Sequence, residues 1–165
     1  MHRYTSFLGE IILSSDGSAL NGLWFSDQKH FPHQVISALP EADLSVFEQT
    51  DRWLDQYFNH IIPAFTPPLS VYGTPFQLQV WKLLLTIPCG KTATYGELAS
   101  LIAVQNNRPH MSAQAVGNAV GANPVSLIIP CHRIIGRNGS LTGYAGGLER
   151  KAALLALEQK TVRQI

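Results

Sequence analysis

Pro130, Cys131, His132 and Arg133 stand in direct succession in LIIPCHRIIG, residues 127–136, between two apolar runs. A thiol followed at once by an imidazole and a guanidinium raises the chemistry of an activated nucleophile. A cysteine after Leu-Ile-Ile-Pro is ordinarily buried and inert, because losing water suppresses its thiolate. Only a positive or proton-accepting neighbour, or a helix N-terminus, would activate it. His132 is adjacent, yet neighbours on a strand point to opposite faces. The two therefore cooperate only if the chain bends at Pro130-Cys131, or if a water bridges them. Glu158 offers a third member. In GGLERKAALLALE, Leu148, Ala152 and Leu155 mark one helical face, and Glu158 lies a turn beyond Leu154 and Leu155. A carboxylate there opposes the helix macrodipole and sits beside an apolar stripe, so it needs a partner, and a histidine suits. Cys–His–Glu would be nucleophile, base and orienting acid; the alternative is a Glu158 that frays into solvent. One Cys beside one His, without a second ligand pair, does not build a tetrahedral zinc site, so no metal is expected.

These residues need elements to hold them. Short apolar runs from Tyr4 to Phe25, broken by SSDG and NG, predict antiparallel strands with turns at both breaks. Leu44, Phe47, Leu54, Tyr57 and Phe58 recur at helical spacing after a cap expected at Asp43. The proline-rich IIPAFTPPLSVYGTP ends this half, which places the boundary near Tyr72 and divides the chain into residues 1–72 and 73–165. In the second half Thr74-Pro75 reads as a cap and first helical position, with Phe76, Val80, Leu83 and Leu84 on one face. Another helix starts near Thr94, and VQNNRPHM connects it to SAQAVGNAVGAN. Two helices joined by a loop in a basic region suggest a helix-turn-helix. The second carries Ala113, Ala115, Gly117, Ala119 and Gly121. Either its backbone approaches something large, or it packs tightly on a neighbouring helix.

At 165 residues and 45% apolar content the chain can bury a core as one large domain or two small ones. No window approaches ~20 consecutive apolar residues, so no membrane span is expected. The N-terminus lacks a basic segment followed by a long apolar run, and two cysteines are too few for a disulfide framework. A soluble, cytoplasmic protein with reduced thiols is expected, and Cys89 reads as structural. The net charge of +1 conceals −5 over residues 1–72 and +6 over 73–165. That is either an ordinary solvated surface or an acidic half joined to one that meets a polyanion.

IPCHRIIGRNGSLTGYAGG resembles the active-site segment of the O6-alkylguanine-DNA alkyltransferases, the methylated-DNA–protein-cysteine methyltransferases. The likeness runs from TPFQLQVWKLLLTIPCGKTATYGELA through AVGNAVGANP to the last helix, nearly all of residues 73–159. The resemblance implies an N-terminal α/β domain, ribonuclease H-like, followed by a mostly α-helical winged helix-turn-helix-like domain. It implies a monomer acting on double-stranded DNA that carries O6-alkylguanine, and also on O4-alkylthymine, without cofactor, metal or membrane. After nucleotide flipping the alkyl group would pass irreversibly to Cys131, once per molecule. Position by position, Cys131 matches the acceptor, His132 the histidine that draws its proton through a water, and Glu158 the acid bonded to that histidine. Asn123 matches the asparagine bracing the turn before the active site. Tyr95 matches the tyrosine that helps extrude the nucleotide and protonates the departing base. Tyr144 and the Ala145 N–H fall in the loop closing over the base, and Gly96, Ala115 and Arg137 join Tyr95 and Gln114 at the DNA. Gln114 stands where the family commonly has an arginine that fills the gap left by the flipped base, and Arg108 lies in a lengthened loop before it. A sensor without repair activity would lack Cys131, and a cysteine hydrolase would leave the basic helical half unexplained.

Overall fold

The structure, a computed structural model, describes residues 1–164. Strands β1 (His2–Ser6), β2 (Gly9–Ser15) and β3 (Leu20–Phe25) form an antiparallel sheet in that order. Its register sets Ile11 opposite Phe25 and Leu13 opposite Leu23, and all four side chains are fully buried. SSDG does turn: Asp16 Oδ1 accepts from the N–H groups of Ser18 and Ala19 at 3.0 and 2.9 Å. Asn21-Gly22 does not, and lies inside β3 with Gly22 opposite Ser14. The Trp24 ring passes so close that a Cβ on Gly22 would fall 1.8 Å from it. Close approach, not chain reversal, requires that glycine.

Two helices, α1 (His33–Ser37) and α2 (Ser45–Phe58), complete the first half. The N-cap of α2 is Leu44 rather than Asp43, because Leu44 anchors in the core while Asp43 stays exposed. Val46, Phe47, Thr50, Trp53, Leu54 and Tyr57 form the buried face of α2.

The second half is mostly helical. Helix α3 (Pro75–Leu84) opens with a capping box between Thr74 and Gln77, and α4 (Tyr95–Gln105) with one between Thr94 and Glu97. Helix α5 (Ala113–Gly121) is capped by Ser112. Trp81 Nε1 donates to the Ala119 carbonyl at 2.8 Å, tying α3 to α5 behind the α4–α5 pair. Short strands β4 (Ala93–Thr94) and β5 (Ile134–Ile135) pair in parallel, and α6 (Leu148–Arg163) closes the chain. One apolar core runs through both halves. Strand β3 extends the connection: Leu23 N–H donates to Pro124 O and Ser126 N–H to Leu23 O, both at 2.9 Å.

Helix α6 buries a different face from the one its apolar pattern marks. Leu148 and Ala152 are exposed and Leu155 is half-buried, whereas Lys151, Leu154, Leu157, Glu158 and Thr161 face inward. Two ionic side chains on the buried face displace the apolar stripe. The basic excess of the second half is likewise reduced at the surface, since Arg133 and Lys151 are buried and Arg150 pairs with Asp27 at 2.8 Å. Among the described residues no helix is long and apolar enough to cross a membrane.

Candidate active site

The segment from Asn123 to Arg133 winds back on itself to deliver Cys131. Asn123 Nδ2 donates to Ile129 O at 2.8 Å while its Oδ1 accepts from Val125 N–H at 3.0 Å. Inside that clamp the fully buried Leu127 adopts φ +68, a region costly for a residue with a Cβ and held only by its surroundings. Pro130 then turns the chain into a 3-10 helix over Cys131–Arg133, with Cys131 N–H donating to Ile129 O at 2.8 Å. The bend that Cys131 and His132 require is therefore present. All three residues are buried, Cys131 keeping 7% of its surface.

Glu158 is fully buried and does not fray. His132 Nε2 lies 2.7 Å from Glu158 Oε1. Arg133 donates through Nε and Nη2 at 2.9 to 3.1 Å, and its Nη1 donates to Ile87 O. Gly90 N–H donates to Glu158 Oε2 at 2.9 Å, and Tyr57, reaching in from α2, donates its hydroxyl to Oε1 at 2.9 Å. Burial alone would raise the Glu158 carboxyl, but the hydrogen bonds and charges of His132 and Arg133 hold it at about 2. A carboxylate only accepts, so His132 Nε2 carries the ring hydrogen and Nδ1 holds the free lone pair. Nδ1 has no hydrogen-bond partner among the described residues.

Burial pushes His132 below the ordinary imidazole value, against the pull of Glu158 and with help from the charges of Arg133 and Lys151. Burial also pushes the Cys131 thiol up, and Asn123, Lys151 and the N–H groups of Cys131 and His132 offset this only in part. Both shifts favour the neutral thiol and the neutral imidazole.

A groove of about 1330 Å³ is lined by Tyr95 and Tyr144, both near Cys131, but not by Cys131, His132 or Glu158 themselves. Gln114, Gly117, Asn118 and Gly121 line one wall from a single face of α5, and Tyr95, Thr142, Tyr144 and Ala145 line another. Tight packing does not explain the glycines: a Cβ at Gly121 would meet nothing within 4 Å, and one at Gly117 only the Tyr95 ring at 3.7 Å. Tyr95 Oη reaches Thr142 O at 3.3 Å and its hydroxyl is pushed up by burial, with the nearby Cys131 adding to the shift. Tyr144 is buried, its hydroxyl near the Ser126 side chain but outside hydrogen-bond geometry with any described residue, and it too lies beside Cys131. Arg108, Gly96, Ala115 and Arg137 are not among the lining residues.

A family model for the 6-O-methylguanine DNA methyltransferase DNA binding domain matches residues 75–160, and one for the ribonuclease-like domain of the same methyltransferases matches residues 1–71. The chain belongs to the 6-O-methylguanine DNA methyltransferase family. It is 46% identical to a methylated-DNA–protein-cysteine methyltransferase of Methanosarcina mazei, covering 98% of both chains. It is 43% identical to the protein of that name from Mycobacterium leprae, over 94% of this chain and 89% of the relative. A crystal structure of Mycobacterium tuberculosis OGT in complex with DNA superposes with a TM-score of 0.82 at 40% identity, over 96% of this chain and 92% of that one.

Within the family's DNA binding match fall Tyr95, Gln114, Asn123, Cys131, His132, Tyr144, Ala145 and Glu158. Sequence reasoning left three site residues without a role. Arg133 was visible beside His132, but only the fold shows it sharing Glu158. Lys151, fully buried, donates to Ile134 O and Thr142 O, joining β5 to the loop over the groove. Tyr57 lies in the ribonuclease-like match and contacts partners 75 and 101 residues away. Nothing local in the sequence points to it. Cys89, pushed up to about 11 chiefly by burial, is half-buried near Glu158.

Proposed function

We propose that this chain repairs DNA by taking the alkyl group of O6-alkylguanine, and of O4-alkylthymine, irreversibly onto Cys131. The observation that carries the reading is the buried His132–Glu158 pair directly after a buried Cys131, which lies near Tyr95 and Tyr144 in a groove walled by the glycine face of α5. An alkylated base inside a duplex is out of reach, so the nucleotide is flipped into the groove at a cost of a few kcal/mol. His132 Nδ1 takes the thiol proton through a bridging water, and Glu158 stabilises the imidazolium that forms. The thiolate attacks the alkyl carbon, the carbon–oxygen bond breaks, and its electron pair leaves with the base, to which Tyr95 supplies a proton. Tyr144 and the Ala145 N–H hold the base, Asn123 fixes the turn, and Gln114 fills the vacated space. The thioether product offers no leaving group for water, so each molecule acts once. Gly96, Ala115 and Arg137 would contact the DNA backbone, and the protein would work as a cytoplasmic monomer with domains over 1–72 and 73–165.

Incubation with an O6-methylguanine oligonucleotide should raise the intact mass once, by about 14 Da, on the Cys131 peptide. Cys131→Ser should abolish transfer and keep DNA binding, since a hydroxyl is far less acidic than a thiol. Label on Cys89, or repeated turnover, would refute the assignment.

A further inference from the structure

Glu158 Oε1 receives more donors than a carboxylate oxygen has lone pairs. His132 Nε2 approaches at 2.7 Å, the Tyr57 hydroxyl at 2.9 Å, and Arg133 Nη2 and Nε at 2.9 and 3.1 Å. All of these side chains are buried, so water cannot relieve the competition. We infer that Tyr57 is a positioning residue that restrains the base: by drawing on Glu158 Oε1 it limits how far the carboxylate stabilises an imidazolium at His132. The inference rests on Cys131 being the acceptor, as proposed above.

His132 is faced by Cys131 and Arg133 from its own turn, by Lys151 and Glu158 from α6, and by Tyr57 from α2; Cys89, between α3 and β4, lies near Glu158. Of the charged groups among these, Glu158 favours the imidazolium, while Arg133 and Lys151 oppose it. Any group that competes for Glu158 therefore acts on the base. Tyr57 makes two contacts of opposite sense. Its oxygen lies 3.3 Å from His132 Nε2, where it could accept from an imidazolium. That distance exceeds the usual N–H···O range of about 2.7–3.2 Å. The 2.9 Å bond to the carboxylate is charge-assisted, a class about twice as strong as neutral hydrogen bonds. Donation to Glu158 dominates, and restraint is the net effect. The consequence suits an irreversible acceptor: a standing thiolate would be consumed by any small electrophile, whereas a thiol beside a restrained base is preserved for the flipped nucleotide.

Tyr57→Phe removes the hydroxyl and keeps the ring stacked on Trp53 at 5.2 Å. The measurement is the pH profile of Cys131 carbamidomethylation by iodoacetamide, read by peptide mass so that Cys89 is scored separately. The profile should move about half to one unit toward lower pH, making the reaction about three- to tenfold faster at neutral pH. The His132 ring ¹⁵N titration should move upward in parallel. An unmoved profile, or one moved toward higher pH, overturns the inference. If Tyr57→Phe does not fold, 3-fluorotyrosine at position 57 carries the test. Its more acidic hydroxyl donates more strongly and must move the profile toward higher pH, and the opposite or no movement overturns the inference. Methyl transfer from the oligonucleotide is measured on the same preparations. Its absence in the unsubstituted protein would sink the proposed function, while the iodoacetamide comparison still decides the role of Tyr57.

Discussion

Glu158 accepts from Tyr57, His132, Arg133 and Gly90, so its replacement disturbs four segments at once. Glu158→Gln leaves the Arg133 charge buried without compensation, a loss of about 3–5 kcal/mol. For a chain of this size that lowers Tm by roughly 6–20 °C, measurable by calorimetry. The acid limb follows from the same group. Its carboxyl is held at about 2 against 4.5 when free, so the unfolded chain binds that proton more readily. The stabilisation is complete above pH 4.5 and disappears as pH falls toward 2. His132, held below 6.5, adds an earlier loss once pH drops below that value, because the unfolded chain again takes up the proton first. Urea midpoints should decline in two stages as the pH is lowered. Glu158→Gln should shrink the lower stage, leaving the remainder to exposed carboxylates such as Asp16, itself held at about 2 by backbone hydrogen bonds. An unchanged lower stage would remove Glu158 from that role. The sequence suggested the His132–Glu158 partnership, beside the alternative of a frayed Glu158, because a carboxylate on a helix beside apolar residues needs a partner. It did not show the sharing of Glu158 with Arg133 and Tyr57, which depends on distances that only the fold creates.

Helix α5 illustrates what element patterns reveal and what they hide. Gln114, Gly117, Asn118 and Gly121 share one face by the helix period, and that face lines the groove. On α6 the same reasoning picked the wrong face, because Lys151 and Glu158 occupy the inward positions that periodicity assigns to apolar residues. Capping residues at Thr74 and Thr94 were legible because a capping box is local chemistry; Asn21-Gly22 misled because a glycine beneath an indole looks the same in sequence as one in a turn. The glycine face gives a prediction in which stability and function separate. A methyl group at Gly121 meets nothing within 4 Å, so Gly121→Ala should stabilise α5 by about 0.5 kcal/mol. The same methyl narrows the approach of duplex DNA and should slow repair of a duplex substrate several-fold while sparing reaction with free O6-alkylguanine base. Gln114→Ala, its side chain exposed and only loosely bonded to Asn118 at 3.4 Å, should show the same split without the gain in stability. Equal slowing of both substrates would remove α5 from the flipping step.

At the scale of the molecule the charge asymmetry in the sequence overstates the field available to DNA. Of nine basic residues in 73–165, Arg133 and Lys151 are buried and Arg150 is paired, which leaves six exposed. The slope of log affinity against log salt should therefore be no steeper than about −5.4, its value if all six meet phosphates. A steeper slope would require residues of the first half at the DNA. That half is no mere appendage. Leu23 hydrogen-bonds Pro124 and Ser126, on either side of Val125 in the segment leading to Cys131, and Lys29 N–H holds Ala145 O at 3.0 Å. Arg150 donates to Leu8 O and Asp27, and Tyr57 enters the proton network itself. Each of these contacts crosses from residues 1–72 to the groove or its foundation, and the apolar core is continuous across the same line. A fragment of residues 73–165 would expose that core and lose the Leu23 backbone bonds to Pro124 and Ser126, just before the strained Leu127. It should retain helical circular dichroism, unfold without a cooperative transition, and leave Cys131 unmodified by an O6-methylguanine oligonucleotide that modifies the full chain. Transfer by the fragment at the rate of the full chain would mean that Asn123 and Lys151 suffice to build the site, and that the contacts from the first half serve stability alone.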